Sequence, residues 1–226
     1  MVAVLGVVGL AFEARVAARR NTQVICSGGR MLPTALACAI AGDCRGLVSF
    51  GVAGGLTPEL HAGTCVVGSM ITSGTTRFMT NRNWSRNLLR AIPGAVYGPI
   101  VGVSAPIAQP EAKRALHIST GALAVDMESH VVASVAAARS LPVTAVRVIT
   151  DSAIRELRPI ALAAMRANGT IDIAAVIRSM MKDPSELPML LQTALDAVIG
   201  LVALLAAASF LAQASCCQIE RAGARP

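Results

Sequence analysis

QVICSGGRMLPTALACAIAGDCRGLVSFG, residues 23–51, holds an apolar run, a helical segment and a second apolar run in succession. QVICS at 23–27 and GLVSFG at 46–51 have the length and apolar character of strands buried on both faces of a sheet. Between them, PTALACAIAG at 33–42 carries Pro33 where a first helical turn accepts proline and Gly42 where a helix ends. That alternation is a βαβ rhythm, the pattern of α/β proteins.

The rhythm extends in both directions. VAVLGVV at 2–8 precedes it, TCVVGSMI at 64–71 follows, and PIVGVS (99–104), LAVDM (123–127) and VTAVRVIT (143–150) read as further strands. Pro110–Leu116 and Glu128–Arg139 read as helices, as do Ile160–Ala167, Ile171–Met181 and the stretch from Leu187. Residues 72–98 are polar and turn-rich, so they are expected to form a long loop over one end of the sheet, where such loops often cover active sites. The uncharged span from Ala197 to Ile219 invites screening as a bilayer-crossing segment. Its alanines and glycine, its Ser209, Gln213 and Ser215, and Asp196 at its edge favour instead a packed helix over 197–212, followed by a tail at 213–226.

Composition sets the limits. The chain has 226 residues, 54% of them apolar and 15% charged, which excludes a disordered solvating protein and supplies a sizeable core for one domain. The net charge is +7, but the bases are scattered and aromatics are only 3%, so nucleic acid is not an expected partner. Arginines decorating a solvated face are the plainest reading of the charge, and contact with an anionic membrane surface is the next. Six cysteines without CxxC spacing and three dispersed histidines give no metal motif, and a cytoplasmic setting with reduced thiols is expected.

Two glycine clusters, SGGR at 27–30 and GVAGGL at 51–56, follow predicted strands, where backbone N–H groups can approach an anion or a sugar. A tight βα turn explains each equally well. The carboxylates say more: of only 13, Glu13, Asp126, Glu128 and Asp151 stand near strand ends in apolar surroundings. Open α/β sheets bind ligands at the carboxyl ends of their strands, and a carboxyl held in an apolar crevice can donate a proton near neutral pH. A helix cap or a salt bridge is the plainer use of any one of them.

In order and spacing, GLAFEA (9–14), the VICSGGR turn, FGVAGGL, HAGTCVVG, AVDMES (124–129) and VRVITDSA (146–153) resemble the nucleoside phosphorylase and nucleosidase superfamily, which includes methylthioadenosine/S-adenosylhomocysteine nucleosidases. DSAIRELRP (151–159) and NGTIDIAAVIRSMMKDPSELPMLL (168–191) look like the hopanoid-associated phosphorylase branch. The resemblance implies a single α/β domain, a mixed central sheet flanked by helices, that cleaves the ribose–adenine bond of a 5′-substituted adenosine. Adenosylhopane is then the favoured substrate, methylthioadenosine or S-adenosylhomocysteine the alternative, and a non-catalytic nucleoside-binding protein the alternative of another class.

By the same resemblance, Asp151 is the general acid toward purine N7 and Thr150 orients it. Glu128 grips ribose hydroxyls, Met127 packs under the sugar, Asp126 replaces a more usual Glu, and Gly54 borders the substrate. Glu13 stands where hydrolytic members activate water and phosphorolytic ones place an Arg. Val52 and Ser49 likewise replace residues used for phosphate, so hydrolysis is preferred, with Gly29 and Arg30 as the remaining phosphate ligands should inorganic phosphate be a co-substrate. No other cofactor and no metal is implied. Ala105-Pro106 stand where relatives stack the purine on an aromatic ring, leaving Phe78 or Trp84 to substitute. A homodimer is expected, and a lipid-linked substrate would bring the protein to the cytoplasmic membrane as a peripheral enzyme.

Overall fold

Apolar side chains at odd and even strand positions face opposite helical layers. The computed structural model describes residues 4–18, 23–40, 44–156, 192–193 and 195–209. The strands are β1 (Leu5–Val8), β2 (Gln23–Cys26), β3 (Leu47–Gly55), β4 (Cys65–Ser73), β5 (Thr76–Met79), β6 (Val96–Gly102), β7 (Ala124–Asp126) and β8 (Val143–Asp151). The helices are α1 (Ala11–Ala17), α2 (Leu32–Ala39), α3 (Arg82–Ala91), α4 (Pro110–Thr120) and α5 (Ser129–Ala138), and residues 195–209 are helical too.

In β1, Leu5 and Val7 pack on one side with Leu32 and Leu36 of α2 and Val132, Ala133 and Ala136 of α5. Val8 packs on the other side with Val16 of α1, Trp84 and Leu88 of α3, and Leu204, Ala207 and Ala208 of the 195–209 helix. The same division runs through β8, with Ala145 and Ile149 on the first side and Val146 and Val148 on the second. This is an α/β architecture with a central sheet flanked by helices.

The sheet is mixed: β3 lies parallel to β1 and β8 and antiparallel to β7, and β4 lies parallel to β6 and antiparallel to β5 and β8. Because β6 also pairs with β7, the strands β3, β8, β4, β6 and β7 close on themselves. A register shift between Ala53 and Gly54 breaks the β3–β8 ladder just before Gly54 meets Asp151. Such irregularities re-aim side chains beside functional sites.

The expectation of a long loop over 72–98 is corrected. That stretch contains the end of β4, β5, α3 and the start of β6. Asn81 caps α3 by accepting a hydrogen bond from the Trp84 amide at 3.0 Å. Trp84, Ser85 and Leu88 form its buried face while Arg82, Arg86 and Arg90 face solvent. The polarity that reads as loop is the outer face of an amphipathic helix. The helices expected at 160–167 and 171–181 and from 187 lie largely outside the described residues, as does the tail at 213–226. Among the described residues, no helix is long and apolar enough to cross a membrane.

Candidate active site

The chain leaves β1 at Gly9, leaves β3 beyond the irregularity at Gly54, and leaves β7 and β8 at Asp126 and Asp151. These strand ends surround a cavity of about 210 Å³. Glu13, Gly54, Asp126, Met127, Glu128, Thr150 and Asp151 all line it, together with an apolar wall that includes Leu10, Val52, Val103, Pro106 and Ile107.

Glu13 stands in the first turn of α1 and is buried. Its Oε2 accepts from the Leu10 and Gly9 amides at 2.9 and 3.0 Å, and its Oε1 accepts from the Val52 amide at 2.8 Å. The carboxylate therefore caps its own helix and ties it to β3. Gly51 permits this approach, since a Cβ there would lie 2.6 Å from Oε1. Burial holds the Glu13 carboxyl above its ordinary value, against the opposing pull of the Val52 and Leu10 amides, Arg147 and the Gly9 amide.

Glu128 begins α5 and leans over Gly9, where a Cβ would come within 2.6 Å of its Oε1. Burial raises its pKa to about 7; Arg147 opposes the rise, while Asp126 and Glu13 add to it. Asp126, two positions earlier, is used differently. Its carboxylate accepts from the Ser129 hydroxyl at 2.6 Å, from the Ser129 amide at 3.2 Å and from the Arg147 side chain. Both of its oxygens thus hold protein donors while the residue also borders the cavity.

Arg147 is 1% exposed, and besides Asp126 it donates to the Ser49 hydroxyl at 2.6 Å and the Val146 carbonyl at 3.0 Å. Ser49 is thereby occupied within the protein. Asp151 is mostly buried and its Oδ2 accepts from the Lys113 ammonium at 2.6 Å. Burial pushes the Asp151 carboxyl up; Lys113 and then Arg155 hold it down, and Asp196 pushes it further up. Thr150 borders the cavity but shows no bond to the Asp151 carboxyl among the described residues, and its methyl group faces Gly200.

Four expected residues lie elsewhere. Phe78 sits on β5, paired with Ile71, and lines separate hollows beside α5. Gly29 and Arg30 form an exposed turn before α2 and do not line the cavity. Trp84 is 4% exposed in the core between α3 and the sheet, so neither aromatic side chain reaches a base in this site. Sequence reading misses Arg147 and Lys113. Arg147 carries a signal: a lone cation in the apolar strand VTAVRVIT shares a strand face with Ala145 and Ile149, and a buried guanidinium requires a carboxylate partner. Among the described residues, no group of three or more His, Cys, Asp or Glu side chains is placed to hold a metal ion.

The sequence matches the phosphorylase superfamily over residues 13–181. The chain belongs to the phosphorylase superfamily, a family of enzymes. Its fold is similar to that of the 5′-methylthioadenosine/S-adenosyl homocysteine nucleosidase of Campylobacter jejuni, at 12% identity and a TM-score of 0.67, over 95% of this chain and 98% of that one. It is also similar to a point mutant of the Helicobacter pylori MTAN, solved with 5′-methylthioadenosine in its active site, at 13% identity and a TM-score of 0.64, over 95% of this chain and 98% of that one. A futalosine hydrolase mutant of Helicobacter pylori shares 16% identity at a TM-score of 0.57, over 66% of this chain and 89% of that one. No curated protein matches the sequence.

Proposed function

We propose that this enzyme hydrolyses the N-glycosidic bond of a 5′-substituted adenosine and releases adenine. The observation that carries the reading is the composition of the cavity wall: carboxylates from three strand ends and no cationic side chain among the described lining residues. Such a wall repels inorganic phosphate and stabilises a cationic sugar. The exposed Arg30 adds nothing to it.

In this reading the C1′–N9 bond breaks with its electron pair passing to the purine, and the Asp151 carboxyl gives its proton to N7. Water forms the new bond to C1′ and passes a proton to Glu13, whose amide contacts fix it as an acceptor. Glu128 hydrogen-bonds the ribose hydroxyls, Met127 packs under the sugar, and Val103, Pro106 and Ile107 flank the base where an aromatic ring is absent. Burial that raises the Asp151 carboxyl favours the protonated form an acid needs.

An apolar 5′ substituent finds support in the 195–209 helix. Asp196 of this helix pairs with Arg155 beside the site and Gly200 abuts Thr150, while Val198, Leu201, Val202 and Leu205 are exposed. Adenosylhopane is accordingly the favoured substrate, met by a peripheral enzyme at a membrane surface, and methylthioadenosine or S-adenosylhomocysteine the second choice. Adenine release from adenosylhopane and from methylthioadenosine, each with and without phosphate and with the sugar product weighed by mass spectrometry, tests the reading. Phosphate-independent release of a free sugar is the expected outcome. A strict phosphate requirement with a phosphorylated sugar would make the enzyme a phosphorylase and return Arg30 to consideration.

A further inference from the structure

Lys113 is fully buried, an unusual state for a lysine, and it lies outside the wall of the cavity. Its ammonium has three hydrogens and meets three acceptors: Asp151 Oδ2 at 2.6 Å, the Ser152 carbonyl at 2.9 Å and the Arg155 carbonyl at 3.0 Å. The two carbonyls come from the turn that follows β8, so α4 holds both the carboxylate and the backbone that carries it. Gln109, one helical turn earlier, donates to Glu156 at 2.7 Å across the same gap. A side chain recruited only to fill space would not need an ion at this depth, because an apolar residue of similar volume avoids the desolvation of the ammonium.

We propose that Lys113 is a positioning residue for Asp151, fixing the carboxyl through Oδ2 so that Oδ1 is the oxygen presented to the purine. The proposal rests on the reading that Asp151 is the acid for adenine release. Three charged groups act on this carboxyl from the elements around it: Lys113 from α4, Arg155 from the turn and Asp196 from the 195–209 helix. Lys113 is the nearest and holds the carboxyl down, so removing it lets the carboxyl titrate at higher pH. An acid must be protonated to act, so the limb on which activity falls with rising pH then moves to higher pH.

The test compares wild type with Lys113→Met, Lys113→Arg, Asp151→Asn and Lys113→Met/Asp151→Asn. Carboxyl titration by NMR on ¹³C-aspartate-labelled protein, with Asp151 assigned from the signal missing in Asp151→Asn, is read beside the pH profile of adenine release from methylthioadenosine. In Lys113→Met the Asp151 midpoint and the alkaline limb should rise together by about one pH unit or more. The maximal kcat should fall about 10- to 100-fold through lost alignment while KM stays within about threefold. Lys113→Arg should bring the midpoint back toward wild type.

An unmoved Asp151 midpoint in folded Lys113→Met overturns the proposal, as does a kcat equal to that of wild type. If Lys113→Met does not fold, the double variant decides. Recovery of the fold when the unpaired carboxylate is also removed supports the pairing, whereas equal failure in both backgrounds shows that the ammonium serves only the turn carbonyls. A wild-type enzyme that releases adenine neither from methylthioadenosine nor from adenosylhopane would sink the functional reading, and the NMR titration would still report on the pair by itself.

Discussion

On the α1 wall of the cavity Glu13 is held by three backbone amides, from Gly9, Leu10 and Val52, whereas on the β8 wall Asp151 is held by one side-chain ammonium. Amides belong to the fold and cannot be removed by changing a side chain, so Glu13 is a fixed acceptor. The ammonium can be removed, moved or replaced, so the Asp151 wall is the adjustable one. Arg147 adds to the first wall by pairing with Asp126 from within the core, beside Glu13 and Glu128. On the proposed assignment, opposite chemical duties receive opposite supports: the base is cradled by donors, and the acid is kept in apolar surroundings beside a nearby ammonium.

The sharpest way to break this division is Asp151→Asn. The replacement keeps the shape of the side chain and removes its proton traffic, so kcat for adenine release should fall about 10²- to 10⁴-fold. The thermal melting curve should remain cooperative. Loss of activity with the fold intact would reject the non-catalytic reading, whereas retained activity would remove the acid from the β8 wall.

A second variant tests the inner support of the other wall. Arg147→Met leaves the Asp126 carboxylate buried with only Ser129 for company, and breaking a buried pair from one side costs about 3–5 kcal/mol. Arg147→Met/Asp126→Asn should recover much of that loss, because the uncompensated charge is gone. Denaturant unfolding of the single and double variants measures the difference. Equal destabilisation in both would mean that Arg147 acts through Ser49 and its own packing instead.

The strands are legible in the sequence because burial on both faces leaves continuous apolar runs, as at β1, β3, β4 and β8. The stretch 72–98 misleads because β5 is short and largely exposed and α3 turns its arginines outward, so neither produces an apolar run. The carboxylates are legible because charges are scarce in this chain and strand ends mark where ligands bind. Their partners are less so. Lys113 sits on a predicted helix among Glu111 and Arg114, and nothing in its local spacing distinguishes a buried ammonium from a solvated one. The aromatic substitutes fail for a related reason: Phe78 and Trp84 read as loop residues free to reach a base, and as parts of β5 and α3 they belong to the packing of the sheet.

The smallest effect sharpens the comparison most, because it reads Glu128 in both stability and function. Its carboxyl titrates at about 7 in the folded protein against an ordinary value of 4.5. Between those values the folded protein keeps a proton that the unfolded chain has released, so this group's contribution to stability is complete below the unfolded value and is lost as pH rises through the folded one. Glu128→Gln removes that dependence. Its melting temperature relative to wild type should therefore rise across this pH range, by the equivalent of about 1–3 kcal/mol at the upper end. A flat difference would mean that water reaches the carboxyl and that it is not held against its burial. The same variant should lose substrate affinity, since a charged acceptor for a ribose hydroxyl contributes about 1.5–3 kcal/mol. Higher stability together with weaker binding would identify Glu128 as a carboxylate kept in an unfavourable place for the ligand.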